Sequence, residues 1–180
     1  LGNVILCDSK GIVMEGNPRN NAVKEEIAHR TNPIHQSGTL KEAIHNADVF
    51  VGVSQANMVT PEMVRSMDRD PIIFAMANPV PEIMPDVAKE AGAVVVGTGR
   101  SDFPNQVNNV LVFRGFFKGL LRVGATKVTQ EMKIRAAEAL ASVITDEELN
   151  ADYVLPGAFD ERVADAIADA VSAEAVASGV

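Results

Sequence analysis

A single cysteine, Cys7, stands in the 180 residues, which excludes an intrachain disulfide framework and a cluster of thiolate metal ligands. Basic residues are in deficit: 16 Lys and Arg face 24 Asp and Glu, for a net charge of −8. A field of that sign argues against non-specific nucleic-acid binding and against an anionic membrane surface as partner. No apolar run approaches the roughly 18 residues of a membrane-spanning helix; the densest stretches are AGAVVVG and NNVLVF. The histidines are His29, His35 and His45, without HExxH or comparable spacing, and they read as surface residues. Repeats and low-complexity segments are missing, and so are an initiating methionine and a signal-peptide pattern. The chain instead enters an apolar run within its first residues, as expected of a chain cut inside a domain.

What is present is a globular composition, 47% hydrophobic and 22% charged, with length for one domain and a real core. Short apolar runs alternate with amphipathic stretches, the pattern of an α/β fold. Strands are expected at Val4 to Cys7, Val49 to Val53, Pro71 to Met76 and Ala93 to Gly97, with a polar loop over residues 12–20. Helices are expected at Ala22 to His29, at Leu40 to Asn46 capped by Thr39, from Thr60-Pro61-Glu62 to Met67, and from Pro85 to Ala91. Three longer helices follow near 108–123, 129–144 and 160–178, the last capped by Asp160. Strands alternating with helices through short connections imply a parallel sheet, which binds ligands at the carboxyl ends of its strands.

The polar residues after each strand are therefore the candidates. Asp8 closes the first strand, where an acid can accept hydrogen bonds from an adenosine ribose; its plain alternative is a turn cap with Ser9 and Gly11. Ser54 follows the second strand in GVSQAN, a loop in which small residues let a cofactor approach the backbone. Asn78 follows the third, stiffened by Pro79 and Pro81, and brings an amide with donors and an acceptor. Glu82 in the same loop reads as a solvated or helix-start carboxylate rather than a catalytic acid. The fourth strand leads into Gly97 to Asn109, thirteen residues with two Gly, an Arg, an Asp, three Asn and a Gln. Asn108 and Asn109 then stand at a helix amino-terminus, where free N–H groups and the dipole favour an anion. A cap explains one of them, not both. Arg114, Lys118 and Arg122 recur every four residues on the helix that follows and read as a surface or subunit-contact stripe.

Together VILCDSKGIV, DVFVGVS with TPEMVRSM, IIFAMANPVPEI and GTGRSDFPNQVNNVLVFRGFFKG resemble the carboxyl-terminal cofactor-binding domain of bacterial-type malic enzymes, and the likeness extends to YVLPGAFDERV and the last helix. The resemblance implies a Rossmann-like, doubly wound α/β sheet with carboxyl-terminal helices, lacking its first strand and Gly-rich turn. It implies an NAD- or NADP-dependent oxidative decarboxylation of L-malate to pyruvate and CO2, with Mg2+ or Mn2+ whose ligands lie outside this chain. On this reading residues 1–180 are a partial dinucleotide-binding domain, and the amino-terminal catalytic domain lies elsewhere. Asp8 matches the acid on the adenosine ribose, Ser54 the loop lining the cofactor, and Asn78 the asparagine contacting cofactor and substrate. Asn108 and Asn109 match the pair holding the substrate carboxylate and the nicotinamide ribose. Gln55-Ala56-Asn57 stands where similar enzymes carry a shorter, glycine-containing turn.

No catalytic acid, base or metal ligand is assigned here: the resemblance implies that the family's catalytic tyrosine, base lysine and metal carboxylates lie upstream, and Tyr153, the single tyrosine, does not match the catalytic position. The resemblance further implies a cytoplasmic homo-oligomer acting on a small molecule. In the order 3-2-1-4-5-6 the missing strand is expected between those at Val4 and Ile72. The isolated chain is then expected neither to turn over malate nor to bind NAD tightly. Two other readings stand beside this one, a non-catalytic nucleotide-binding module and a different Rossmann oxidoreductase.

Overall fold

The computed structural model describes residues 2–180. Twelve elements follow in chain order: β1 Cys7–Asp8, β2 Gly11–Ile12, α1 Ala22–Ala28, α2 Leu40–Ile44, β3 Val49–Gly52, α3 Pro61–Arg65, β4 Ile72–Ala75, α4 Pro85–Glu90, β5 Val95–Thr98, α5 Val110–Val123, α6 Gln130–Ala141 and α7 Glu161–Ala177. β3, β4 and β5 form a parallel sheet in that order, with Val49 opposite Ile72 and Ile72 opposite Val95. α3 and α4 supply the crossovers, so this part is the α/β unit the alternating pattern implies. Its core holds Ile44, Val64, Ile73, Ala75, Ala88 and Val96.

The helix signals act as written. Thr39 and Glu42 close a reciprocal capping box on α2, Thr60 accepts from Met63 N ahead of Pro61, and Asp160 accepts from Arg162 N at the start of α7.

Three expectations fail in the sheet. Val4 to Cys7 is not a buried strand: Val4 is 45% exposed, and the pairing is instead a short antiparallel hairpin, Cys7 opposite Ile12 and Asp8 opposite Gly11. An apolar run records no partner, and the turn chemistry two residues on decides it. Lys10 N donates to Asp8 Oδ1, and Gly11 has φ 110°, a conformation open chiefly to glycine. The polar loop expected from residue 12 therefore begins with β2 and with buried Ile12 and Val13. Finally, β4 has β3 on one side and β5 on the other, so a missing strand does not lie directly beside the strand at Ile72.

The carboxyl-terminal third is a helical layer with its own core of Phe116, Leu120, Met132, Ala136, Ile167 and Val171. α5 and α7 meet through small residues. A Cβ at Gly115 would lie 2.8 Å from the Ala164 carbonyl oxygen, and one at Gly119 would lie 2.7 Å from that of Ala168. Ser172 Oγ donates to the carbonyls of Gly119 and Ala168 at 3.1 and 2.7 Å. The basic stripe is tied up in the same seam, Lys118 to Asp165 and Arg122 to Asp169, each at 2.5 Å. Two of its three members thus serve an intramolecular ladder between helices, and Lys118 holds the Asp165 carboxyl below its ordinary value. Replacing Gly119 by Ala is predicted to cost about 1–3 kcal/mol, because a backbone carbonyl must move to admit the methyl. Urea denaturation should show a lowered midpoint; an unchanged midpoint would contradict this packing.

Candidate functional site

Parallel strands deliver their exits to one edge of the sheet, and Ser54, Asn78 and the segment 99–109 all lie just beyond that edge. Ser54 follows β3 in a loop sewn to the one after β4. Asn57 N donates to the Pro81 carbonyl at 3.1 Å and Val59 N to that of Glu82 at 3.0 Å. Asn57 takes φ 58°, a left-handed conformation that asparagine tolerates. Asn78 precedes Pro79 through a cis peptide, and its side chain is exposed.

Glu82 departs from its expected role. It is neither solvated nor a helix-start group but fully buried, at 0% exposure. Its Oε1 accepts from Ser54 N at 2.8 Å and its Oε2 from Ala77 N at 3.0 Å. A carboxylate removed from water needs such donors. A Cβ on Gly52 would stand 2.5 Å from Glu82 Cδ, so the glycine leaves room for the acid. Sequence reasoning missed this residue. No local signal marks it: Pro81 and Ile83 beside it are buried too, but that burial is read only from the folded chain.

The stretch from Gly97 to Asn109 folds back on its own strand. Val107 N donates to the Thr98 carbonyl at 2.8 Å, and Gln106 bridges Thr98 in parallel. Asn105, buried with φ 54°, was also missed. Its Nδ2 donates to the carbonyls of Val96 and Ala151 at 3.2 and 2.9 Å, while its Oδ1 accepts from Val154 N at 2.8 Å. It fastens β5 to the segment that leads into α7. Arg100 grips Asp102 with two bonds of 2.9 and 2.7 Å and lies over the Phe103 ring. Asp102 is thereby held ionised, its carboxyl lowered by that guanidinium.

The two asparagines at the start of α5 divide the work. Asn108 Oδ1 accepts from Val110 N at 3.0 Å and is the cap. Asn109 is the last residue before the helix and makes no side-chain capping bond. Among the described residues the side chains of Ser54, Asn78 and Asn109 are exposed and make no hydrogen bond to protein. Three uncommitted polar groups and a helix amino-terminus, gathered on one edge, suit a polar ligand bearing hydroxyl and anionic groups. That donor set fits the sugar, phosphate and amide groups of a dinucleotide. It does not fit a divalent cation: among the described residues no group of three His, Cys, Asp or Glu stands together.

Asp8 stands in the separate hairpin, and among the described residues no hydrogen bond or ion pair joins it to Ser54, Asn78, Asn108 or Asn109. Its Oδ2 pairs with Lys24 Nζ, and its Oδ1 accepts from Lys10 N at 2.7 Å. The Lys24 bond first, then the Lys10 amide, hold its carboxyl below the ordinary 3.8. The neighbouring Cys7 thiol is pushed up to about 11 by burial and then by Asp8, so it stays protonated at neutral pH. His29, His35 and His45 are exposed, as expected. No helix among the described residues is long and apolar enough to cross a membrane.

Known proteins resemble this chain over nearly its whole length. The family described as "Malic enzyme, NAD binding domain" matches residues 1–176. A bifunctional malic/malolactic enzyme of Bacillus subtilis is 59% identical over 99% of this chain, which spans 44% of that protein. An NADP-dependent malic enzyme of Salmonella typhimurium is 43% identical, again over 99% of this chain but only 25% of its own length. The crystal structure of an NAD-dependent malic enzyme from Thermotoga maritima superposes with TM-score 0.88 at 46% identity, covering 94% of this chain and 45% of that one. The chain therefore spans less than half the length of these relatives.

A folded-state pKa that is depressed gives stability that is complete above the ordinary carboxylate range and lost as pH falls through the lowered value. Asp8 is thus predicted to titrate below 3.8, with Lys24→Met moving it upward. Carboxyl-carbon NMR checks both, and an Asp8 that titrates at its ordinary value would contradict the pairing.

Proposed function

Because this chain belongs to the malic enzyme NAD-binding domain family, we propose that it holds NAD or NADP and the substrate carboxylate for oxidative decarboxylation of L-malate to pyruvate and CO2. The observation that carries the reading is the set of uncommitted side chains at the strand exits, Ser54, Asn78 and Asn109, beside the amino-terminus of α5. The cofactor, when bound, supplies the hydride acceptor. The chain's own residues orient: Ser54 lines the cofactor, Asn78 reaches cofactor and substrate, and Asn108 and Asn109 hold the carboxylate and the nicotinamide ribose. Asn109 suits its role because Asn108 already caps the helix and leaves the second amide free. Positioning of this kind lowers the barrier by pre-paying the entropy of alignment.

Asp8 takes the adenosine ribose in this reading. It remains anionic beside Lys24, and displacement of that lysine's bond would let a hydroxyl in. The 180 residues form the larger part of a dinucleotide-binding domain, while the acid, base and ligands for Mg2+ or Mn2+ lie outside them. Assembly as a cytoplasmic homo-oligomer completes the proposal. Its oligomeric part is supported by the apolar side chains that α5 leaves exposed, Phe113 and Phe117 at 57% and Leu121 at 81%.

Asn78→Ala and Asn109→Ala in the full-length protein are each predicted to lower kcat/KM for malate at least tenfold, about 1.4 kcal/mol or more. Steady-state kinetics with both coenzymes tests this; unchanged values in both variants would sink the assignment.

A further inference from the structure

We infer that Glu82 is a positioning residue for the cofactor, a buried clamp that sets the main chain of two binding loops at once. The inference rests on the cofactor-binding reading above. A carboxylate with no exposure is costly to keep, and replacement by an apolar group would ordinarily be tolerated or favoured. Here both oxygens are spent on main-chain N–H groups rather than on a cation, and the two groups belong to different loops. One is Ser54 itself; the other is Ala77, the residue before Asn78. The carboxylate therefore bridges the two loops just beyond the last ladder bond between β3 and β4, Met76 N to the Gly52 carbonyl at 3.0 Å.

The surroundings are built to keep it there. Gly52, at the end of β3, is bare where any side chain would strike the carboxylate carbon. The main chain at Pro81 and at Glu82 itself is tied to the loop after β3, Pro81 through Asn57 and Glu82 through Val59. Glu82 carries the geometry from below, while Ser54 and Asn78 present free side chains above it. A helix cap would not need donors from two loops, and a solvated acid would not be buried. The start of α5 hangs from β5 through Val107 and Asn105, not from Glu82, so the substrate end of the site is supported separately.

The test uses the full-length protein with Glu82→Gln and, separately, Gly52→Ala. The first keeps the volume but turns an N–H donor toward an N–H donor. The second keeps the acid but displaces it. Both should raise the KM for NAD or NADP by about tenfold or more, as loss of a charge-assisted bond allows, with a smaller rise in the KM for malate through Asn78. Amide hydrogen exchange at Ser54 and Ala77 should lose protection in both variants. Thr129→Ala, which removes the cap of α6, a helix that carries no site residue, should lower stability yet leave the cofactor KM unchanged. Should Glu82→Gln not fold, Gly52→Ala carries the test by itself. Retained protection of the two amides, or a cofactor KM within about twofold once protection is lost, would overturn the clamp. Failure of the unsubstituted protein to bind either coenzyme in a direct titration would overturn the functional reading, and the clamp with it.

Discussion

Parallel registration of Val49–Gly52 on Ile72–Ala75, and of Ile72–Ala75 on Val95–Thr98, sends three chain exits to the same edge of the sheet. Every polar group assigned to the cofactor or the substrate, apart from Asp8, depends on that constraint. Parallel strands need crossovers, and α3 and α4 supply them. Polar side chains from residues far apart in sequence thereby converge without any of them being buried. The energetic work of holding them falls on residues beneath the edge. Glu82 spans the loops after β3 and β4, and Asn105 locks the loop after β5.

The helical layer serves the same edge from the other direction. α5 can present Asn108 and Asn109 at a fixed place only if its own axis is fixed, and α7 supplies that support. Glycines at 115 and 119 let the two helices approach until side chains meet backbone, and Ser172 bonds across the seam. Lys118 and Arg122 add an exposed ionic ladder, whose worth is small beside the packing. Asn105 joins this layer to the sheet through Ala151 and Val154, so both cores bear on one binding edge.

Much of this was legible from residue types. Thr39, Thr60 and Asp160 announced their helices because a hydroxyl or carboxylate before an apolar repeat has few other uses. The doubled asparagine at 108 and 109 left one side chain beyond what a cap needs, and the structure gives the capping bond to Asn108. Other features could not be read. Val4 to Cys7 has the composition of a buried strand, yet pairing is a property of two segments, and a turn at Ser9-Lys10 closed it into a hairpin. Glu82 resembles a surface acid in every local respect. Its burial follows from Gly52, thirty residues earlier, and from two amides that only the folded sheet brings within reach. Asn105 was hidden in the same way, its three bonds reaching residues as far off as Val154.

Determining the structure of the full-length protein with NAD or NADP bound is the most direct test of the account. The nicotinamide end should lie beyond the carboxyl ends of β3, β4 and β5, within hydrogen-bond distance of Asn78 and Asn109. A cofactor seated elsewhere, with Ser54, Asn78 and Asn109 facing only water, would contradict it.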